Sequence, residues 1–358
     1  MTNKSIILTG GGTAGHVSLN EAIIPSFYKA GYDVHYIGSE TGIEREIIGN
    51  AFPDLPYYPI SSGKLRRYFS LQNFTDPFKV MKGVFQALSI IRKVKPTVIF
   101  SKGGFVSVPV VMAAKLANVP VVVHESDVTP GLANKIAQPF ASHVFTVFNE
   151  TLSHLPQDKA TCVGSVIREQ LYEGNRDRGR SLCGFYNTKK VLLIMGGSLG
   201  SVVINEAVRS NLPKLLETFN IIHLCGKGNV DKELNSFNGY CQFEYVTTEL
   251  SDLLYASDYI VSRAGSNSIF EFLALHKPML LIPLSAAKSR GDQILNAKLF
   301  EKKRLAHVLQ EEDLTRKSFI KAIEKLVADE EQLIDAMTEV KAPITPSEMV
   351  KLITQYEK

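Results

Sequence analysis

Two doubly wound α/β halves, each built on a parallel sheet, are what this sequence predicts, and three observations predict them. The run Ser5 to Thr9 leads into Gly10-Gly11-Gly12-Thr13-Ala14-Gly15-His16, and Val191 to Met195 leads into Gly196-Gly197-Ser198-Leu199-Gly200-Ser201. Each pair precedes a helix-like stretch, the layout that sets backbone N–H groups and a helix N-terminus beside an anion. A length of 358 residues accommodates two such domains, each with its own core. The expected architecture is two Rossmann-like domains facing a ligand cleft.

In the first half, Ile6 to Leu8, Val34 to Ile37, Val98 to Phe100, Val119 to Val123 and Val144 to Phe148 read as strands. In the second half, Val191 to Met195, Ile221 to Leu224, Gln242 to Val246, Tyr259 to Ser262 and Met279 to Pro283 repeat the pattern. Nearly unbroken β-branched runs suit strands covered on both faces, and the longer segments between them suit right-handed helical crossovers. The boundary is expected within Cys162 to Arg168, giving domains 1–163 and 164–341. Lys341-Ala342-Pro343-Ile344-Thr345-Pro346 breaks a helical pattern, and residues 342–358 are expected to return to the first domain as a helix from Ser347.

Composition excludes several classes. Hydrophobic residues at 45% and charged residues at 21% are ordinary globular values. A net charge of +4 with no long basic stripe argues against nucleic acid. Cys162, Cys183, Cys225 and Cys241 show neither metal-ligand spacing nor a disulfide framework, which argues for a reducing compartment and against structural zinc. No apolar stretch reaches the ~18 residues a spanning helix requires, so a soluble or peripheral protein is expected.

Taken alone, the first loop is ambiguous. Gly10, Gly12 and Gly15 satisfy the G-x-G-x-x-G spacing of a dinucleotide site, a pattern with many false positives. Such a site also wants an acid closing the second strand, and after Ile37-Gly38-Ser39 only Glu40 is offered, slightly late. A redox cofactor is the minority reading.

Six motifs in order carry more: GGGTAGHV from Gly10, SKGGFVSVP from Ser101, HESDVTPGLAN from His124, GGSLGS from Gly196, SRAGSNSIFE from Ser262 and DQILNA from Asp292. Together they resemble the MurG family, the UDP-N-acetylglucosamine transferases that glycosylate undecaprenyl-pyrophosphoryl-muramoyl-pentapeptide in peptidoglycan synthesis. Ala14, Ser126-Asp127 and Asp292 depart from the commonest family pattern while keeping small or hydrogen-bonding character.

The resemblance implies a glycosyltransferase B fold and a hexosyltransferase. The reaction implied is inverting transfer of N-acetylglucosamine from UDP-N-acetylglucosamine to the C4 hydroxyl of the muramoyl residue of lipid I, giving lipid II. No cofactor and no strictly required metal are implied. The first domain would take the acceptor and the second the donor. The enzyme would work as a peripheral protein on the cytoplasmic face of the bacterial cell membrane, with other cell-wall synthesis proteins as partners. Two other readings stay open: a different UDP-sugar glycolipid transferase or epimerase of this fold, and a non-catalytic nucleotide-sugar or lipid sensor.

Residue roles follow. Glu271 resembles the family carboxylate that holds the ribose diol, although Ser268-x-x-Glu271 also has the spacing of a helix capping box. Arg168, Ser198, Thr247, Gly265, Ser266, Asp292 and Gln293 complete the donor side, to which Thr13, Gly15 and Asn134 are added from the first half. His16, whose ordinary pKa suits a base near neutrality, is the first candidate to deprotonate the acceptor, with Glu125 and Asp127 as supporting or rival carboxylates. Gly11, Gly12, Gly103 and Gly104 are expected to offer backbone N–H groups to the acceptor pyrophosphate. Lys64, Arg66 and Arg67 beside Phe74 and Phe78 suggest a membrane patch, with Leu71, Met81, Phe85 and Leu88 continuing the stripe and Lys79 and Lys82 adding charge. An apolar stripe at helical spacing is more often core.

Overall fold

The computed structural model describes residues 4–63, 72–197, 200–287, 289 and 291–358, with side chains from Asp76 onward in the helix that begins at Gln72. Lys64, Arg66, Arg67, Leu71 and Ser198, and the side chain of Phe74, lie outside the described residues. The chain forms two compact units, one of Met1–Val166 with Ile344–Lys358 and one of Ile167–Pro343. The two passages of chain that join them pair at Val166 and Ile344, where Ile344 N donates to Ser165 O at 2.9 Å.

The first unit holds seven parallel strands: β1 (Ser5–Thr9), β2 (Asp33–Ser39), β3 (Tyr57–Ile60), β4 (Val98–Ser101), β5 (Val121–Glu125), β6 (His143–Thr146) and β7 (Ala160–Cys162), in the order β3-β2-β1-β4-β5-β6-β7. The second holds β8 (Lys190–Met195), β9 (Phe219–Leu224), β10 (Tyr240–Phe243), β11 (Tyr259–Ser262), β12 (Met279–Leu281) and β13 (His307–Val308), in the order β10-β9-β8-β11-β12-β13, again all parallel. Strand order reverses between β1 and β4 and between β8 and β11. At such a switch point the loops leaving neighbouring strands diverge, opening a crevice at their carboxyl ends. Both glycine loops emerge there.

Alternation along β1 builds two cores. Ile6 and Leu8 face a cluster with Tyr36 and Phe100, whereas Ile7 faces one with Ile37, Ile99 and Val123. The first cluster is completed from the far end of the sequence by Met349, Val350 and Ile353. These lie on the helix Pro346–Thr354, which packs against the helix Ser18–Lys29. Thr345 and Glu348 form its capping box, Glu348 N donating to Thr345 Oγ1 at 3.2 Å and Thr345 N to the Glu348 carboxylate at 2.7 Å.

Several strand limits differ from the sequence expectation. β5 starts at Val121 because Val119 N closes the preceding helix on Ala114 O, 2.9 Å away. β10 ends at Phe243, where its partner β9 ends at Leu224, so Val246 and Thr247 belong to a loop. β3, β7 and β13 were not anticipated. All three lie at sheet edges, where one side lacks a partner and a continuous apolar run is not required.

Candidate active site

In the first unit, β1 ends in the loop Gly10 to Thr13 and a single 3₁₀ turn, Ala14–His16. His16, half-buried, places Nδ1 3.0 Å from the Gly11 carbonyl and 3.2 Å from Thr13 Oγ1. A carbonyl oxygen only accepts, so Nδ1 carries the proton and Nε2 is the basic nitrogen. Thr13 and Gly15 stand exposed on the same loop.

Of the glycines expected at the acceptor pyrophosphate, Gly11 and Gly12 have their N–H groups engaged within the protein. Gly11, Gly103 and Gly104 are buried against one another: Gly11 N donates to Gly103 O at 3.3 Å, and a Cβ on Gly104, whose φ is +85°, would sit 2.1 Å from Gly11 O. Gly12 is exposed, yet its N–H donates to Glu44 Oε2 at 3.0 Å. The sequence reading missed Glu44. It lies just inside the helix Ile43–Ala51, whose acidic first turn was the available signal. Glu44 is fully buried, and its Oε1 accepts from Ser39 N at 3.0 Å and Ser39 Oγ at 2.5 Å. Burial alone would raise its carboxyl; bonds from the Ser39 hydroxyl and the Gly12 and Ser39 amides outweigh that and hold it below its ordinary value.

Glu125, at the end of β5, is engaged on both carboxylate oxygens. Oε1 accepts from Ser126 N at 2.9 Å and Asp127 N at 3.0 Å, and Oε2 from Gly131 N at 2.9 Å and Asn134 Nδ2 at 2.8 Å. Four donors on one buried carboxylate fix the loop 126–131. Burial and Asp127 still raise its pKa, with those bonds opposing. Asn134, expected at the donor, is buried beneath Gly103, its amide nitrogen donating also to His124 O at 3.2 Å. Asp127 is half-buried, with its carbonyl accepting from Thr151 Oγ1 at 3.0 Å. Beside this loop, buried Lys102 donates to His124 Nδ1 at 3.0 Å, and desolvation pushes the lysine down to about 8.

In the second unit, β11 ends at Ser262 and the helix Ser266–Ala274 starts after Gly265, so Gly265 and Ser266 form the helix N-terminus at the switch point. Arg263 anchors this loop from within, donating to Ile282 O at 3.1 Å, Pro283 O at 3.3 Å and Ser201 Oγ at 2.7 Å, and pairing with Glu311. Asn296 Nδ2 donates to Ala264 O at 3.2 Å. The capping-box alternative fails: the N-cap is Gly265 and Ser268 is already the third helical residue. Glu271 instead pairs with Arg168, Nη2 to Oε1 at 3.1 Å. Burial raises the Glu271 carboxyl and the guanidinium offsets part of that. Gln293 accepts from Leu284 N at 3.0 Å, and Asp292 begins the helix Asp292–Lys302 as a first-turn acid. Thr247 sits on an exposed loop.

On the helix Gln72–Val94, Phe78, Met81 and Phe85 are 77%, 48% and 65% exposed, with Lys79 and Lys82 exposed beside them. Val84, Ala87 and Ile91 form the buried face. No helix among the described residues is long and apolar enough to cross a membrane, and no group of three or more His, Cys, Asp or Glu among them could hold a metal ion.

Comparison with known proteins adds identity to this geometry. Residues 6–146 match the glycosyltransferase family 28 N-terminal domain and residues 191–352 its C-terminal domain. The chain is similar to the UDP-N-acetylglucosamine–N-acetylmuramyl-(pentapeptide) pyrophosphoryl-undecaprenol N-acetylglucosamine transferase of Clostridium botulinum, 55% identical over 355 residues, covering 99% of this chain and 100% of the relative. The Geobacillus thermodenitrificans protein of the same name is 59% identical over 329 residues, 92% of each chain. Among solved structures, Acinetobacter baumannii MurG superposes with a TM-score of 0.78 at 24% identity, covering 98% of this chain and 99% of that one. A Neisseria meningitidis UDP-GlcNAc 2-epimerase bound to UDP-GlcNAc superposes with a TM-score of 0.68 at 14% identity, covering 99% of each, so the two share a fold.

Proposed function

The chain belongs to glycosyltransferase family 28, and within it to the MurG family, and from that premise we propose that it transfers N-acetylglucosamine from UDP-N-acetylglucosamine to the C4 hydroxyl of the N-acetylmuramyl residue in lipid I, forming lipid II. The observation that carries the mechanism is the contact of His16 Nδ1 with the Gly11 carbonyl. With Nδ1–H on the Gly11 carbonyl, Nε2 is the nitrogen that takes the hydroxyl proton as that oxygen attacks the anomeric carbon. The bond from C1 to the UDP oxygen breaks on the opposite face, so the configuration inverts. The helix N-terminus at Ser266 and the Arg168 guanidinium stabilise the charge on departing UDP, while Glu271 holds the ribose diol. Thr13, Gly15, Thr247, Asp292 and Gln293 belong to the same reading as groups around the substrates.

Charge stabilisation by a helix terminus and a guanidinium makes the reaction metal-independent, so activity is expected to survive EDTA. Complete loss that Mg²⁺ or Mn²⁺ restores would assign the role to an ion. The protein works as a peripheral enzyme on the cytoplasmic face of the cell membrane, alongside other cell-wall synthesis proteins, with Phe78, Met81 and Phe85 entering the lipid surface and Lys79 and Lys82 favouring anionic headgroups.

Turnover tests the reading. Labelled UDP-N-acetylglucosamine with a short-chain lipid I analogue is expected to yield disaccharide lipid and UDP in equal amounts. UDP release without disaccharide, or binding without turnover, overturns it in favour of hydrolysis or a sensor. His16→Ala is expected to lower kcat by about 10²- to 10⁴-fold with donor KM nearly unchanged. A fall under about fivefold at saturating acceptor removes His16 from the role.

A further inference from the structure

The peptide group between Gly11 and Gly12 is held at both ends. Its N–H, on Gly12, donates to Glu44 Oε2 at 3.0 Å, and its carbonyl, on Gly11, accepts from His16 Nδ1 at 3.0 Å. One planar amide therefore lies between a fully buried carboxylate and the proposed base. We propose that Glu44 is a positioning residue for His16 and acts through this amide. Carboxylate, peptide and imidazole form a hydrogen-bonded chain that keeps the proton on Nδ1 and stabilises the imidazolium formed when Nε2 takes the acceptor proton. This rests on the reading of His16 as the base.

Three features support the relay. An amide whose N–H donates to an anion is polarised, which makes its carbonyl a stronger acceptor for the imidazole N–H. The sign of the charge also decides between roles: a buried carboxylate behind the Gly12 N–H opposes a pyrophosphate at that amide and favours a cation on the loop. The reaction creates such a cation at His16. Finally, the approach depends on the absence of a side chain at Gly11, where a Cβ would lie 2.4 Å from Glu44 Cδ. Ser39, which donates to Oε1 through both its backbone and its hydroxyl, fixes the carboxylate from the other side.

The test is a double-mutant cycle with both substrates varied. Glu44→Gln removes the charge at nearly constant size. It is expected to lower kcat by about 10- to 100-fold, the range of outer-shell partners that orient a functional imidazole, while leaving the KM for UDP-N-acetylglucosamine unchanged. In a His16→Ala background the same substitution is expected to cost nothing further, because the group it acts through is gone. An equal fractional loss in both backgrounds shows that Glu44 merely shapes the loop, and a kcat within about threefold of wild type shows that the chain is not used. Either overturns the relay. If Glu44→Gln fails to fold, judged by thermal melting, Ser39→Ala is used instead. It removes one bond to the same carboxylate, and its smaller loss must likewise vanish without His16. The two ideas fail separately: near-normal kcat in His16→Ala removes the base itself, whereas an inactive His16→Ala with multiplicative Glu44 losses removes only the relay.

Discussion

At Glu271 a single carboxylate has two claimants. It is paired with Arg168, and it is the group proposed to hold the ribose diol. Its removal tests the second role: Glu271→Ala is expected to raise the KM for UDP-N-acetylglucosamine at least tenfold, since one hydrogen bond to a charged group is worth about 1.5 to 3 kcal/mol. A change below twofold in a folded variant, measured by initial rates at saturating acceptor, would leave Glu271 with only its Arg168 contact. His16 and Glu271 were named from the sequence because each sits inside a contiguous motif, and their roles are those proposed above. Glu44 was not, since it meets the first loop from a helix that follows the next helix and strand in sequence, and nothing near it names Gly12 as its partner. At Gly103 and Gly104 the sequence did not reveal the packing: both are buried, and a Cβ on Gly104 would meet Gly11 O, so small size there also serves the close approach of two loops.

The helix Gln72–Val94 shows how far periodicity carries at the scale of an element. Spacing places Phe78, Met81 and Phe85 on one face, and ordinary amphipathic logic turns such a face inward. The structure turns it outward, and the reason lies on the opposite side. A Cβ on Gly83 would sit 2.1 Å from Ser61 O, so the face of small residues, Gly83, Val84 and Ala87, is the one that approaches the domain closely. Replacing Phe78 and Phe85 by Ser is therefore expected to leave thermal stability within about 0.5 kcal/mol, as for other exposed sites. Co-sedimentation with anionic vesicles should fall several-fold. Unchanged vesicle binding would deny this helix a membrane role. The same limit applies to the strands: the doubly covered ones were legible from their apolar runs, whereas β3, β7 and β13 depend on neighbours that no local pattern reveals.

For the molecule as a whole, two parallel sheets were legible because the alternation of strand and crossover repeats in each half and parallel sheets leave few other topologies. The first unit also depends on a distant segment. Met349 and Ile353 are fully buried in its core, and Glu357 accepts from Tyr32 at 2.5 Å, Thr97 at 3.0 Å and Lys4 at 2.5 Å. Met349→Ala and Ile353→Ala are each expected to destabilise that unit by about 2 to 5 kcal/mol. Denaturant titration monitored in the first unit should report this, and equal loss in the second unit would show that the two unfold together. That closing helix has a consequence for biosynthesis. On the ribosome every residue of 167–343 is added before the helix Pro346–Thr354 exists, so until then the first unit exposes the apolar groove that Leu19, Ile23 and Phe27 border. At about 5 to 20 residues per second the groove waits roughly ten to thirty-five seconds for its cover, an interval in which a chaperone has something to hold. The segment that closes the first domain is the last of it to be made.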